Sequence, residues 1–169
     1  MGRVGIGYDL HRLVKGRPLV LGGETIEHHL GLDGHSDADV LLHALCDALL
    51  GAACLGDIGL HFPPGDERFK NISSLSLLKA VRDKLKKERL KVVNLDAVII
   101  AEAPKLAPHI EAMQDNIARV LLVPRTAVSI KATTTEGLGP CGREEGIAAQ
   151  VVVMLEKKPP LGPSGQETE

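Results

Sequence analysis

The segment VGIGYDLHRL at 4–13, answered at 35–59 by HSDADVLLHALCDALLGAACLGDIG, decides how the rest of the chain is read. From Val4 to Leu13 small and larger residues alternate, a strand pattern in which Gly5 and Gly7 permit close backbone approach. Strand side chains alternate faces, so Asp9 and His11 project from the same side. In the second segment Ser36, with Asp39 three residues on, makes a capping-box-like start, and the spacing predicts a helix to about Ala52. Val40, His43, Ala44 and Asp47 share one face of it, while Leu41, Leu42, Leu45 and Leu49 make it apolar around much of its circumference and therefore buried. His43 can then come down on the point that Asp9 and His11 face. Two imidazoles and one carboxylate suit a zinc-like ion with one coordination position open; the same spacing also suits a hydrogen-bonded polar cluster at a strand end. Asp47, one turn beyond His43, is placed to accept that ring's other N–H, and a capping or surface role fits it equally.

Composition narrows the function classes. The 169 residues suffice for one domain with a real core, and aromatic residues are only 2%, so Leu, Ile, Val and Ala must fill it. That scarcity argues against single-strand nucleic-acid binding by stacking, and a net charge of -2 argues against a polyanion held by bulk electrostatics. Cys46, Cys54 and Cys141 are an odd count without CxxC spacing, which points to a reducing compartment. No secretory leader pattern is present and no window reaches the roughly 18 apolar residues of a membrane span. A cytoplasmic protein without nucleic-acid or membrane partners is the expectation.

Farther along, Leu19–Leu21 and Thr25-Ile26 read as short strands broken at Gly22-Gly23, followed by a loop rich in Gly and His. Paired prolines make Phe62-Pro63-Pro64-Gly65-Asp66 a loop, and Ser73 or Ser74 caps a second, amphipathic helix to about Arg89 with a solvated Lys/Arg face. Lys91–Ala101 is a buried strand, Pro108 opens a third helix to about Leu121, and Thr126–Ala132 and Gly146–Leu155 supply two more strands. The pattern predicts an α+β fold, a mixed β-sheet with helices packed on one face, in a single domain over residues 1–158. The Pro/Gly/polar tail 159–169 is expected to be disordered.

Two further stretches suit phosphate chemistry. His35 precedes a helix start, where backbone N–H groups favour an anion, although a solvent-facing loop histidine fits as well. In KATTTEGLG at 131–139 the hydroxyls and free amides can hold phosphate oxygens and Glu136 can ligate a hard cation; a Thr-rich turn is the plainer reading. AEAPKLAPH at 101–109 reads from composition only as a loop.

Taken together, GYDLHR at 7–12, LGGE at 21–24, the 35–59 block, AEAPKLAPHI at 101–110, KATTTEGLG and GREEGIA at 142–148 resemble, in order and spacing, the 2-C-methyl-D-erythritol 2,4-cyclodiphosphate synthase family. The resemblance covers residues 2–157. It implies a homotrimer with sheets around the three-fold axis and active sites between subunits, acting on the nucleotide diphosphate 4-diphosphocytidyl-2-C-methyl-D-erythritol 2-phosphate. It implies Zn²⁺ on Asp9, His11 and His43, and Mg²⁺ or Mn²⁺ on Glu136, with Thr134, Glu136 and Asp47 serving catalysis. His35 and Ser36 fall to the methylerythritol phosphate end, and Asp57, Gly59, Phe62 and Asp66 to the erythritol side. Thr133, Thr134, Thr135 and Glu136 fall to the diphosphate, and Ala101, Pro104, Lys105 and Ala107 to the cytosine. Arg143, with Gly139 and Glu145, would line the axis, where family members can hold an isoprenoid diphosphate.

Three departures stand out. Pro64 leaves only the second acid, Asp66, of the family's Phe-Pro-Asp-x-Asp run; Pro140 stands where Phe is frequent; and Glu102 stands where Gln is common. If backbone groups read the base, the Glu102 exchange should be tolerated.

Overall fold

The computed structural model describes residues 2–63 and 65–158. The expectation for the tail 159–169 falls outside them. Strand β1 (Gly2–Val14) shows the parity read from sequence: Gly5 and Gly7 are buried, whereas Val4, Ile6, Tyr8 and Leu10 are 42% to 70% exposed on the other side. The glycines are needed because helix α1 (Val40–Ala53) crosses them. A Cβ added at Gly7 would lie 1.9 Å from the Ala44 carbonyl oxygen, and one at Gly5 would lie 2.0 Å from that of Ala48. No side chain fits between these two backbones.

The hairpin β2 (Leu19–Leu21) and β3 (Glu24–Ile26) turns at Gly22-Gly23, as the sequence indicates, and a two-residue strand β4 (Gly31–Leu32) then pairs with the end of β1. After α1 come a one-turn helix α2 (Ile58–His61) and helix α3 (Ser74–Lys87). Strand β5 (Leu90–Ile100), helix α4 (Ile110–Leu121), strand β6 (Val128–Thr133), a one-turn helix α5 (Gly139–Gly142) and strand β7 (Gly146–Lys157) complete the chain. The main sheet has the order β4-β1-β7-β5-β6. It is mixed, since β5 and β6 run parallel through the α4 crossover and the other pairs are antiparallel, with a bulge in β5 between Val92 and Asn94. Ile147, Ala149, Val151, Val153 and Leu155 of β7 pack under the helices, which take one face as the alternating pattern predicts. On the opposite face Val152 and Met154 join the exposed residues of β1.

Helix α1 is buried around most of its circumference, with Leu41, Leu42, Leu45 and Leu49 all fully covered, because it lies between β1 and β7 on one side and α3 on the other; only the stripe of His43, Asp47 and Gly51 stays partly open. Its N-cap is Asp39 rather than Ser36. Ala38 adopts a left-handed conformation (φ 58°), so the helix cannot begin until the chain straightens at Asp39, whose carboxylate accepts from Leu42 N at 3.1 Å. The other Asp39 oxygen accepts from Gly23 N at 2.7 Å and ties the helix start to the β2–β3 turn. Burial pushes this carboxyl up to about 6, against the pull of those backbone donors. Two other boundaries shift. The Pro108 turn is a 3-10 segment, Ala107–His109, ahead of α4, and Arg125–Ala127 is a 3-10 turn that delays β6 to Val128.

Candidate functional site

Because Asp9 and His11 share the parity of Gly5 and Gly7, they emerge on the side of β1 that α1 covers, one step beyond the close crossing. His43, just before Ala44 on α1, faces them. Asp9 Oδ2 lies 2.8 Å from His11 Nε2 and 3.2 Å from His43 Nδ1, and the two ring nitrogens are 3.1 Å apart. Ligand atoms held tetrahedrally at zinc bond lengths would be about 3.3 Å from one another, so this nitrogen, nitrogen, oxygen triangle fits such an ion with little adjustment. Among the described residues it is the one group of three or more His, Cys, Asp or Glu side chains close enough to hold a metal.

The surrounding electrostatics suit a cation. Burial pushes the Asp9 carboxyl up, but the hydrogen bonds and charges of His11 and His43 together outweigh it and hold Asp9 well below the usual carboxylate range. Burial likewise pulls His11 down, and the Asp9 hydrogen bond and charge, with the Asp33 carbonyl, leave it raised. His11 Nδ1 donates to Asp33 O at 2.6 Å, which leaves Nε2 to face Asp9. Sequence reasoning missed Asp33, since its contribution is a backbone carbonyl delivered by β4. On His43, Nε2 lies 3.1 Å from both Ser36 Oγ and Ser74 Oγ. Asp47 does not hold this ring. It accepts from Ile58 N at 2.7 Å and pins the start of α2, because Nδ1 of His43 is turned toward β1 and Nε2 toward the serines. Burial raises the Asp47 carboxyl, with Asp57 adding to the rise.

The triangle opens into a cleft of about 300 Å³ lined by Asp9, His11, His35, Ser36, His43, Asp47, Gly59 and Phe62, with Ile58, Phe69 and Leu77 as its apolar wall. His35 Nε2 donates to Asp66 O at 3.0 Å, so that histidine is braced at the rim. The Asp66 carboxylate is engaged by Arg68 at 2.6 Å, which holds its pKa low, and Asp57 caps α2 through Leu60 N at 2.8 Å.

The remaining sequence candidates form a second cluster. The loops after β5 and β6 leave the same end of a parallel pair and are stitched by Glu102, whose Oε1 accepts from Thr135 N at 2.8 Å and Gly137 N at 3.4 Å, while the Thr135 hydroxyl donates to Leu138 O at 2.5 Å. The Thr135 amide, chiefly, holds the Glu102 carboxyl low. Pro104 follows a cis peptide, Lys105 and Ala107 are exposed, and Ala101 is buried. Thr133 and Thr134 are exposed, and Thr134 Oγ1 donates to the Glu136 carboxylate at 3.3 Å. None of these residues lines the cleft. Arg143 is paired with Glu145 at 2.7 Å beside α5.

Residues 2–156 match the family model described as the YgbB family. The chain belongs to the YgbB family. One relative, the 2-C-methyl-D-erythritol 2,4-cyclodiphosphate synthase of Syntrophomonas wolfei, is 60% identical over 92% of this chain and 99% of its own length. The bifunctional IspDF of Campylobacter jejuni has a solved structure that superposes with a TM-score of 0.90 at 44% identity, covering 94% of this chain and 43% of that one. The chain thus spans less than half of that larger protein. A solved 2C-methyl-D-erythritol-2,4-cyclodiphosphate synthase in its CDP-bound form gives a TM-score of 0.84 at 38% identity, over 91% of this chain and all of the other.

Proposed function

We propose that the chain is a 2-C-methyl-D-erythritol 2,4-cyclodiphosphate synthase, a phosphorus–oxygen lyase of the non-mevalonate route to isoprenoid precursors. The 2-phosphate oxygen of 4-diphosphocytidyl-2-C-methyl-D-erythritol 2-phosphate attacks the β-phosphorus, the bond from that phosphorus to the bridging oxygen breaks, and CMP leaves with the α-phosphate. The observation that carries the reading is the Asp9, His11, His43 triangle at the head of a cleft, in a chain 60% identical to a synthase over nearly its whole length.

Asp9, His11 and His43 would hold Zn²⁺, and Glu136 would offer one carboxylate oxygen to Mg²⁺ or Mn²⁺. These ions supply Lewis acidity to crowded phosphate oxygens. Ring closure within one molecule needs no external nucleophile, and a phosphate monoester is already largely ionised at neutral pH, so the chain's task is positioning. His35 and Ser36 at the rim receive the methylerythritol phosphate, and Asp57, Gly59, Phe62 and Asp66 border its hydroxyl side. Asp47 acts by bracing α2 against α1. Thr133, Thr134, Thr135 and Glu136 offer hydroxyls, amides and charge to the diphosphate, and Ala101, Pro104, Lys105 and Ala107 frame the cytosine.

The cleft and the Glu102-stitched loops are separate within one chain, which supports a site completed by a neighbouring copy. The exposed apolar face of Val4, Ile6, Tyr8, Leu10, Val152 and Met154 supports a homotrimer whose sheets surround the axis. An isoprenoid diphosphate on that axis would meet Arg143, already engaged by Glu145, with Pro140 nearby. Three free cysteines suit a cytoplasmic, reducing setting, and no helix among the described residues is long and apolar enough to cross a membrane.

Incubating the purified protein with substrate and Mg²⁺, with and without chelator, tests the activity. CMP plus a cyclic diphosphate is the expected result. CMP with an uncyclised diphosphate would make the protein a zinc hydrolase of nucleotide diphosphates instead, and ligand binding without turnover would make it a binding protein.

A further inference from the structure

Beside the metal triangle lies Ser74, a fully buried residue contributed by the first turn of α3, well beyond β1 and α1 in the chain. Its hydroxyl lies 2.5 Å from Asp37 Oδ1 and 3.1 Å from His43 Nε2, and its backbone N–H donates to Asp37 Oδ2 at 2.9 Å. A carboxylate only accepts, so the Ser74 hydroxyl must donate to Asp37. Its oxygen can then only accept from His43, which requires the proton of His43 to sit on Nε2. We infer that Asp37 and Ser74 form a positioning relay that fixes the His43 tautomer and keeps its Nδ1 lone pair turned toward Asp9 and His11 for a metal.

Something must do this, because the local field works the other way. Asp9 Oδ2, 3.2 Å from Nδ1, attracts a proton to that nitrogen, and an Nδ1–H would occupy the position a metal needs. Ser36 does not supply the direction. Its oxygen accepts from Ala38 N at 3.1 Å, and its own hydrogen is uncommitted, so it can either donate to Nε2 or accept from it. Only the serine locked to a carboxylate has its polarity fixed. Asp37 is itself held in place by the α3 amide and by Asp39 N at 3.3 Å, so the relay joins the helix that carries His43 to the helix beneath it.

The inference rests on the metal reading of Asp9, His11 and His43 and is tested so that the two fail separately. Zinc affinity of the full chain is measured by competition with a chromophoric chelator for the parent, Ser74→Ala, Ser74→Thr, Asp37→Asn and the Ser74→Ala/Asp37→Asn double variant, with thermal unfolding alongside. Loss of a hydrogen-bonded partner to a metal-binding histidine weakens binding about 10–100-fold, the loss expected in Ser74→Ala and in Asp37→Asn. The double variant should be no weaker than the weaker single, because both break one chain of bonds. Ser74→Thr, which keeps the hydroxyl, should return to within about threefold of the parent. Asp37→Asn also removes the acceptor of the Ser74 N–H, so its loss counts only beside that of Ser74→Ala. A parent that binds no zinc overturns the metal reading and the relay together. A parent that binds zinc with Ser74→Ala inside about twofold of it, or losses that multiply in the double variant, or Ser74→Thr as weak as Ser74→Ala, overturns the relay and leaves the metal site standing.

Discussion

Replacing Gly7 by Ala should damage stability and metal binding through one displacement. The new Cβ would sit 1.9 Å from the Ala44 carbonyl oxygen and 2.8 Å from Ala48 N, against an ordinary contact of at least 3.4 Å. Both clashes are with backbone, so no side-chain rotation relieves them, and α1 must withdraw from β1 by about 1.5 Å at this crossing. Overpacking of this kind costs about 1–3 kcal/mol, and the absence of any flexible atom to yield places Gly7→Ala near the upper end. For a chain of this size about 3 kcal/mol lowers Tm by roughly 6–12 °C. His43 precedes Ala44 and moves with it, while metal–ligand distances tolerate only about 0.2 Å, so zinc affinity should fall at least tenfold. The assay is thermal unfolding at one fixed protein concentration, with zinc affinity measured beside it. Gly51→Ala is the control: it lies on the same helix, meets nothing within 4 Å, and should hold or raise stability by up to about 1 kcal/mol. A Gly7→Ala protein that melts within about 2 °C of the parent and binds zinc equally well would refute the reasoning.

Three other outcomes follow from the same structure. Because His11 is raised above its usual 6.5 in the metal-free fold, its contribution to stability is complete below about 6.5 and disappears as pH climbs through the raised value; Asp9, held low, contributes above its ordinary carboxylate pKa and loses this only in stronger acid. Zinc must displace the His11 proton, so chelated protein should lose Tm as pH rises above about 6.5 while zinc affinity rises in the same direction, and a flat pair of profiles would contradict the assignment. Glu102→Ala removes the acceptor of two backbone amides and should raise KM for the nucleotide substrate about tenfold, whereas Glu102→Gln keeps an acceptor and should stay within about threefold; equal effects in steady-state kinetics would show that the loop stitch is not what matters. Ile6→Glu places a charge on the exposed sheet face and should yield folded single chains without turnover in light scattering and activity assays, while a trimer of unchanged activity would remove this face from the interface.

Where local rules govern, residues announced their structure. Alternation alone put Asp9 and His11 on one side of β1, and the apolar character of α1 around much of its circumference marked a largely buried helix. The sequence failed where a partner is distant or belongs to the backbone. Ser36 and Asp39 have capping-box spacing, but the left-handed turn at Ala38, a residue with no local reason to adopt it, moves the cap to Asp39. Asp47 has the helical spacing to reach His43, yet its partner is the Ile58 amide, a choice set by how α2 folds back. Asp33 and Ser74 orient the two histidines from segments with no motif of their own, so only assembled geometry identifies them. The two loops stitched by Glu102 were separately legible as turns, and their adjacency came from the parallel pairing of β5 and β6.

The alternation in β1 also sets how this segment can change by descent. Odd positions supply the glycines that admit the helix and then Asp9 and His11; even positions supply the exposed apolar side chains. A point substitution disturbs one of these assignments, whereas loss or gain of a single codon between Gly5 and Asp9 exchanges part of both sets at once. It would drive bulky residues into the crossing or turn Asp9 and His11 out of the cleft. Drift in this strand is therefore confined to replacement without change of length.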